Sequence, residues 1–322
     1  MGGFWVWCGS AIRGEDGRYH MFASRWPKDY PFFEGYPTTS EIVRAASDTP
    51  EGPYIFEEVV LAPRGSEHWD GRMTHNPTIH KWRDTYLLFY IGATFTGPSP
   101  TPEEILKAGR FCAHPKTAEA YGSIRIGLAT ADSVLGPWQR RDEPILLPRP
   151  GKWDSQIVTN PAPCILPDGR VLLLYRSNTP EGLRIGAAMA KDIESPFLRV
   201  QDEPVLVLSK GYVEDPYLWW NGNHFEMVAK DCTGAITGEQ GAGIHAVSRS
   251  GVEFELSTPP KAYSRQVVWD DGTVTVQGAF ERPQLLMEQG RPTHLFAATG
   301  DGPGGFNFTK TWNMVVPLRH GE

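Results

Sequence analysis

The sequence lacks the features that mark a nucleic-acid, membrane or disulfide-built protein. Its 31 Lys and Arg are outnumbered by 38 Asp and Glu, for a net charge of −7. No basic run or stripe offsets that balance, so neither a nucleic-acid backbone nor an anionic membrane surface is expected as a partner. No apolar stretch approaches the ~20 residues of a membrane span. Cys8, Cys112, Cys164 and Cys232 lie far apart with no C-x-x-C pairing, so spacing implies neither a zinc site nor a disulfide framework. The N-terminus shows no charged segment leading into a signal-type apolar run. As given, the chain reads as cytoplasmic, or as periplasmic or secreted if a leader has been removed.

What the sequence does contain is a repeat. Its 34 Gly and 28 Pro are scattered rather than clustered, the mark of many turns between short strands. Five segments share a pattern of strand, polar turn and second strand: Ser10 to Ser24, Pro77 to Tyr90, Pro161 to Tyr175, Pro216 to Val228 and Pro283 to Ala297. A third strand with small alternating residues follows, as in Ile124-Arg-Ile-Gly-Leu-Ala-Thr-Ala and Leu183-Arg-Ile-Gly-Ala-Ala-Met-Ala. A turn such as Gly136-Pro137-Trp138 then leads to an outer strand. Each unit is therefore a four-stranded antiparallel meander, which cannot bury both faces alone. Five of them packed around an axis predict an all-β fold, a single five-bladed β-propeller over 1–322 with blades starting near 4, 74, 158, 213 and 280. Little chain follows Leu318 to supply an outer strand for the fifth blade.

In such a fold the start of each inner strand and the end of each second strand meet at one end of the axis. The inner strands open at Cys8-Gly9-Ser10, His75-Asn76-Pro77, Thr159-Asn160-Pro161, Glu214-Asp215-Pro216 and Glu281-Arg282-Pro283. Pro is tolerated at a first strand position. The polar groups before it must pair with one another or meet a ligand, because unpaired burial costs roughly 1–3 kcal/mol per group. The second strands end near Arg25, Asn178 and Lys230, which extend the same polar rim. A central pocket that takes a sugar fits these residues, since hydroxyls pair with fixed polar groups and CH faces stack on rings.

These openings resemble the five-bladed propeller of glycoside hydrolase family 43 and its furanosidase and neoagarobiose-hydrolase-like relatives. The resemblance implies an inverting site with a base Asp opening blade 1, an orienting Asp before Pro in a middle blade, and a general-acid Glu in E-x-P. Glu214 matches the last. Gly9, preceded by Cys8, stands where the first is expected, and Asn160 where the second is. The expected function is exo-acting hydrolysis of a terminal sugar from an oligo- or polysaccharide. The alternatives are a non-catalytic sugar-binding propeller and a glycoside phosphorylase.

Glu214 and Glu281, in the same slot of neighbouring blades, are the expected catalytic pair, with Lys230 or Arg282 holding one ionised. Asp70 and Asp154, in the repeated pairs Trp69-Asp70 and Trp153-Asp154, are either further bases or a repeated structural corner. Arg25, Trp69, Arg72, His75, Asn76, Asn160, Asn178, Lys230 and Arg282 are the expected substrate-binding residues. The loop from Phe95 to Tyr121 is expected to fold over the mouth. No required cofactor is expected and no metal ligands are assigned, with an axial calcium ion left open by the resemblance. A monomer or small homo-oligomer is expected.

Overall fold

The second strand of blade 2 contains six consecutive apolar residues, Tyr86 to Ile91, and the reason is that both of its faces are covered. Side chains alternate across a strand. Tyr86, Leu88 and Tyr90 face one neighbour with Phe22 and Ile42, while Leu87, Phe89 and Ile91 face the other with Leu173 and Tyr175. In blade 3 the same alternation sends Leu172 and Leu174 onward to Met227 and Ile244. Each buried side chain of this size contributes roughly 1.5–3 kcal/mol. The core is thus a set of apolar layers between blades.

The computed structural model describes residues 2–302 and 304–318. Blade 1 is Phe4–Arg13, Tyr19–Pro27, Glu41–Ser47 and Ile55–Leu61, paired in that order. Blade 2 is Met73–Trp82, Thr85–Ala93, Arg125–Ala131 and Gln139–Arg140; blade 3 is Thr159–Ile165, Val171–Thr179, Gly182–Ala190 and Leu198–Arg199. Blade 4 is Val213–Trp220, Phe225–Asp231, Gly243–Ser248 and Glu255–Tyr263. Blade 5 has three strands among the described residues, Glu281–Glu288, Arg291–Gly300 and Thr311–Pro317, and a two-stranded ribbon of Gln266–Val268 and Val274–Val276 precedes it. The fold is the expected all-β five-bladed propeller.

Side chains help to close blade 1 against blade 5. Thr311 Oγ1 accepts from the Val6 N–H at 2.9 Å, and Asn313 Oδ1 accepts from the Gly9 N–H at 2.8 Å. A side chain at Gly9 would sit 2.7 Å from Asn313 Cγ and from Met21 Sδ, so a larger residue there would have to displace the side chain that makes this closure.

The repeated Trp-Asp pairs are structural corners, and this corrects the expectation that their aspartates serve as bases. Asp70 and Asp154 are fully buried away from the axis. Asp154 accepts from Arg149 at 2.9 Å, Arg199 at 3.1 Å and the Tyr175 hydroxyl at 2.8 Å. Asp70 has the same bracket of Arg64, Arg140 and Tyr90. Trp69 stacks on Tyr90 and Trp153 on Tyr175. The small residues of the third strand make the room, since a Cβ at Gly127 would lie 2.5 Å from Trp69. With two guanidinium groups and a phenol around it, neither carboxylate is open to a ligand.

Removing a buried carboxylate leaves its partners uncompensated. Asp154→Ala is expected to lower stability by about 3 kcal/mol, read from the urea midpoint.

Candidate active site

Five residues, one per blade, adopt the left-handed backbone region at the same place on the inner strand: Cys8 (φ 59°), Asn76 (49°), Asn160 (51°), Asp215 (57°) and Arg282 (54°). Asn and Asp accept this conformation readily, whereas Cys and Arg adopt it less often. Strand pairing skips at each point, as between Glu214 and Tyr217 or Glu281 and Gln284. Such a bulge bends the strand and re-aims its side chain, here to the axis.

Four of the five side chains form a directional chain around that axis, which the Arg282 backbone joins. The Cys8 thiol donates to Asn76 Oδ1 at 2.7 Å, and Asn76 Nδ2 donates to Asn160 Oδ1 at 2.7 Å. Asn160 Nδ2 donates to Asp215 Oδ1 at 2.5 Å, and the Arg282 backbone N–H donates to Asp215 Oδ2 at 3.2 Å. An amide both gives and accepts, which a carboxylate cannot do, so Asn160 fits here where Asp would face Asp215 with like charge. The blade-1 slot belongs to Cys8 and not to Gly9, a one-residue correction to the alignment read from sequence.

Above the ring lies a cavity of about 680 Å³. One side is charged. Glu214 and Glu281 share Lys230, whose Nζ lies 2.7 Å from Glu214 Oε1 and 2.6 Å from Glu281 Oε1. Arg176 approaches Glu214 Oε2 at 3.7 Å. Burial pushes both carboxyls upward, but at Glu214 the charges of Lys230 and Arg176 prevail and the pKa falls to about 2. At Glu281 burial, together with the negative charges of Glu214 and Asp215, outweighs Lys230, and the pKa rises to about 7. One carboxylate is held ionised and its neighbour holds a proton near neutrality.

Another part of the lining is aromatic. Three short helices stand in the connections: α1 (Phe32–Thr39), α2 (Pro102–Ala108) and α3 (Pro115–Gly122). Phe32, Phe33 and Tyr36 of α1, Tyr121 of α3, and Phe306 and Phe308 line the cavity. Phe33 stacks on Phe306 at 5.4 Å, and Arg110 donates to the Gly305 carbonyl at 2.8 Å. The Phe95–Tyr121 segment therefore leans across the mouth, with Tyr121 reaching the cavity.

Of the expected binding residues, His75, Asn76, Asn160, Asn178, Lys230 and Arg282 line this cavity, whereas Arg25, Trp69 and Arg72 do not. Arg25 bonds Glu41 at 2.8 Å and lies over Phe4 and Phe56. Strand alternation explains this, because Trp26 beside it points inward. Arg72 spans Phe95 and donates to the Gly97 carbonyl. His75 bonds Ser40 through Nδ1 at 2.8 Å and stacks on Tyr36. Burial and the Arg282 charge depress its pKa to about 3, so it stays neutral. Arg176, Cys8, Asp215 and the α1 aromatics were absent from the expected set. Register marks Arg176, which pairs with Thr159 as Lys230 pairs with Glu214. The helical wall left no such signal.

The ring does not fit the axial calcium ion. It offers one carboxylate, two amides already engaged, a thiol and a guanidinium, where calcium takes six to eight oxygens. Among the described residues no group of three His, Cys, Asp or Glu is placed to hold a metal.

A raised Glu281 pKa means that the folded state binds a proton the unfolded chain has released between pH 4.5 and about 7. Stability from this group is therefore full below pH 4.5 and is lost as pH rises through about 7. Glu214 acts oppositely, losing its contribution as pH falls from 4.5 towards 2. The buried neutral His75 and His80 act with the opposite sign below pH 6.5. The expected result is therefore read as a difference: the wild type loses stability relative to Glu281→Gln as pH rises from 4.5 to 7, in denaturant titrations of both at each pH.

No family model matches the chain, and no curated protein matches it in sequence. Solved structures do. A family 117 glycoside hydrolase produced by the marine bacterium Zobellia galactanivorans superposes with a TM-score of 0.65 at 18% identity, covering 98% of this chain and 84% of that one. A thermostable family-43 glycoside hydrolase gives 0.65 at 12% identity, covering 100% and 92%. An endo-arabinase from Bacteroides thetaiotaomicron VPI-5482 gives 0.59 at 14%, covering 98% and 95%. The chain shares the five-bladed propeller fold of these glycoside hydrolases.

Proposed function

We propose that the chain is an exo-acting glycoside hydrolase in which Glu281 donates the proton and Glu214 is its ionised partner. The observation that carries this reading is the split of two carboxyls around one Lys230 ammonium inside the axial cavity. Glu281 protonates the oxygen of the leaving sugar, and Glu214 meets the anomeric side as base or nucleophile, the role being set by the carboxyl separation in the sugar complex. The family resemblance gave the acid role to Glu214. Lys230 and Arg176 argue for exchanging the roles, because they hold Glu214 as an anion.

Walls favour exo action. The aromatic side formed by α1, α3 and the 304–308 segment stops a polysaccharide from running through, so a chain end enters. A sugar's CH face against those rings leaves its hydroxyls towards Asn160, Asn178 and Lys230. Structures with this fold have been solved with carbohydrate, including a family 43 β-xylosidase/α-arabinofuranosidase in complex with xylotriose. A sugar-binding propeller without turnover is the second reading, favoured by the absence of a carboxylate at Cys8 and Asn160.

The test is monosaccharide release from a panel of oligosaccharides with varied ends. Wild type is expected to release a terminal sugar, with a rate that falls as pH rises through about 7. Glu281→Gln and Glu214→Gln are each expected to lose at least 100-fold. Binding without any release would replace hydrolysis with the binding reading.

A further inference from the structure

Arg282 is the least satisfied group at the floor of the cavity. Its residue is 3% exposed, yet Nε, Nη1 and Nη2 make no hydrogen bond to any described residue. Its ionic neighbour is Asp215, 3.5 Å from Nη1. That carboxylate already accepts from the Asn160 amide and from the Arg282 backbone. Beside the guanidinium sits Cys8, whose buried thiol stays protonated and brings no charge. The other carboxylates are engaged too, Glu214 and Glu281 both by Lys230.

The cavity as a whole carries an excess of positive charge. Arg176, Lys230, Arg265 and Arg282 line it, against Glu214, Asp215 and Glu281. A buried guanidinium without hydrogen bonds is costly, and its fork of parallel N–H groups matches a planar two-oxygen anion.

We infer that Arg282 forms an oxyanion site on the cavity floor, filled by the carboxylate of an acidic terminal sugar or by free phosphate. The inference rests on the carbohydrate-pocket reading and adds the ligand's charge. The acidic-sugar source suits the position best, because the group would lie beneath the aromatic wall and next to Glu281, within one sugar of the reacting bond.

Calorimetric titration of the full chain with glucuronic and galacturonic acids, with their uncharged methyl esters, and with inorganic phosphate tests this without turnover. The expected result is at least tenfold tighter binding of an acid than of its ester, abolished in Arg282→Met. Cys8→Asp, which gives the guanidinium an internal carboxylate but removes the thiol's bond to Asn76, is expected to abolish the preference, in protein whose fold is checked by circular dichroism. Phosphate binding that is lost in both variants, without acid preference, supports the site with phosphate as its source. Equal binding of acid and ester together with phosphate binding absent, or insensitive to both variants, overturns it, and the wild-type arms stand even if Arg282→Met does not fold. Acid binding with no product release would sink hydrolysis and leave this site in place, whereas hydrolysis of neutral ends without any anion effect would do the reverse.

Discussion

The hydrogen-bond chain around the axis is the constraint on which the rest depends. Five strands arrive at one point and each turns a polar side chain inward, where an unpaired group is costly; four of the five pair with one another and the Arg282 guanidinium does not. The left-handed bulges solve the geometry, and the order thiol, amide, amide, carboxylate solves the pairing. Amides at positions 76 and 160 are then required by the ring, as each must accept from one neighbour and donate to the next. What looks like a lost acid in sequence is a satisfied joint in the fold.

The residues just before the slots inherit their placement from this ring. Glu214 and Glu281 precede Asp215 and Arg282, so the bulges that seat the latter bring the two glutamates to one ammonium. Their proton affinities separate because both are buried but the cations are shared unequally: Arg176 adds to Lys230 at Glu214, whereas at Glu281 Lys230 stands against burial and the charges of Glu214 and Asp215.

Much of this was legible in the sequence because the propeller repeats its period-two strands and its polar-Pro openings. The blades and the inward amides followed from register, and the pairing of Glu214 with Glu281 from their shared slot, with Lys230 and Arg282 both open as its cation. Four things did not. A bulge shifts the slot by one residue, which put Gly9 in the place of Cys8. Alternation separates neighbours, so Arg25 leaves the cavity and Trp26 enters it. The Trp-Asp pairs were visible as a repeat, but only the Arg64, Arg140, Arg149 and Arg199 contacts, made across the chain, distinguish a locked corner from a base. The aromatic wall had no periodic signal, as α1 is an eight-residue insertion with a proline inside it.

That wall and the charged floor come from different parts of the blades. The floor is fixed by inner strands that every blade must have, whereas the wall hangs on connections that no blade needs for its own pairing. Changes in α1, α2, α3 or the 304–308 segment can therefore reshape the mouth of the cavity without disturbing the ring below. Mouth and floor are free to drift apart in descent, one varying by insertion and the other held by the closure of a ring.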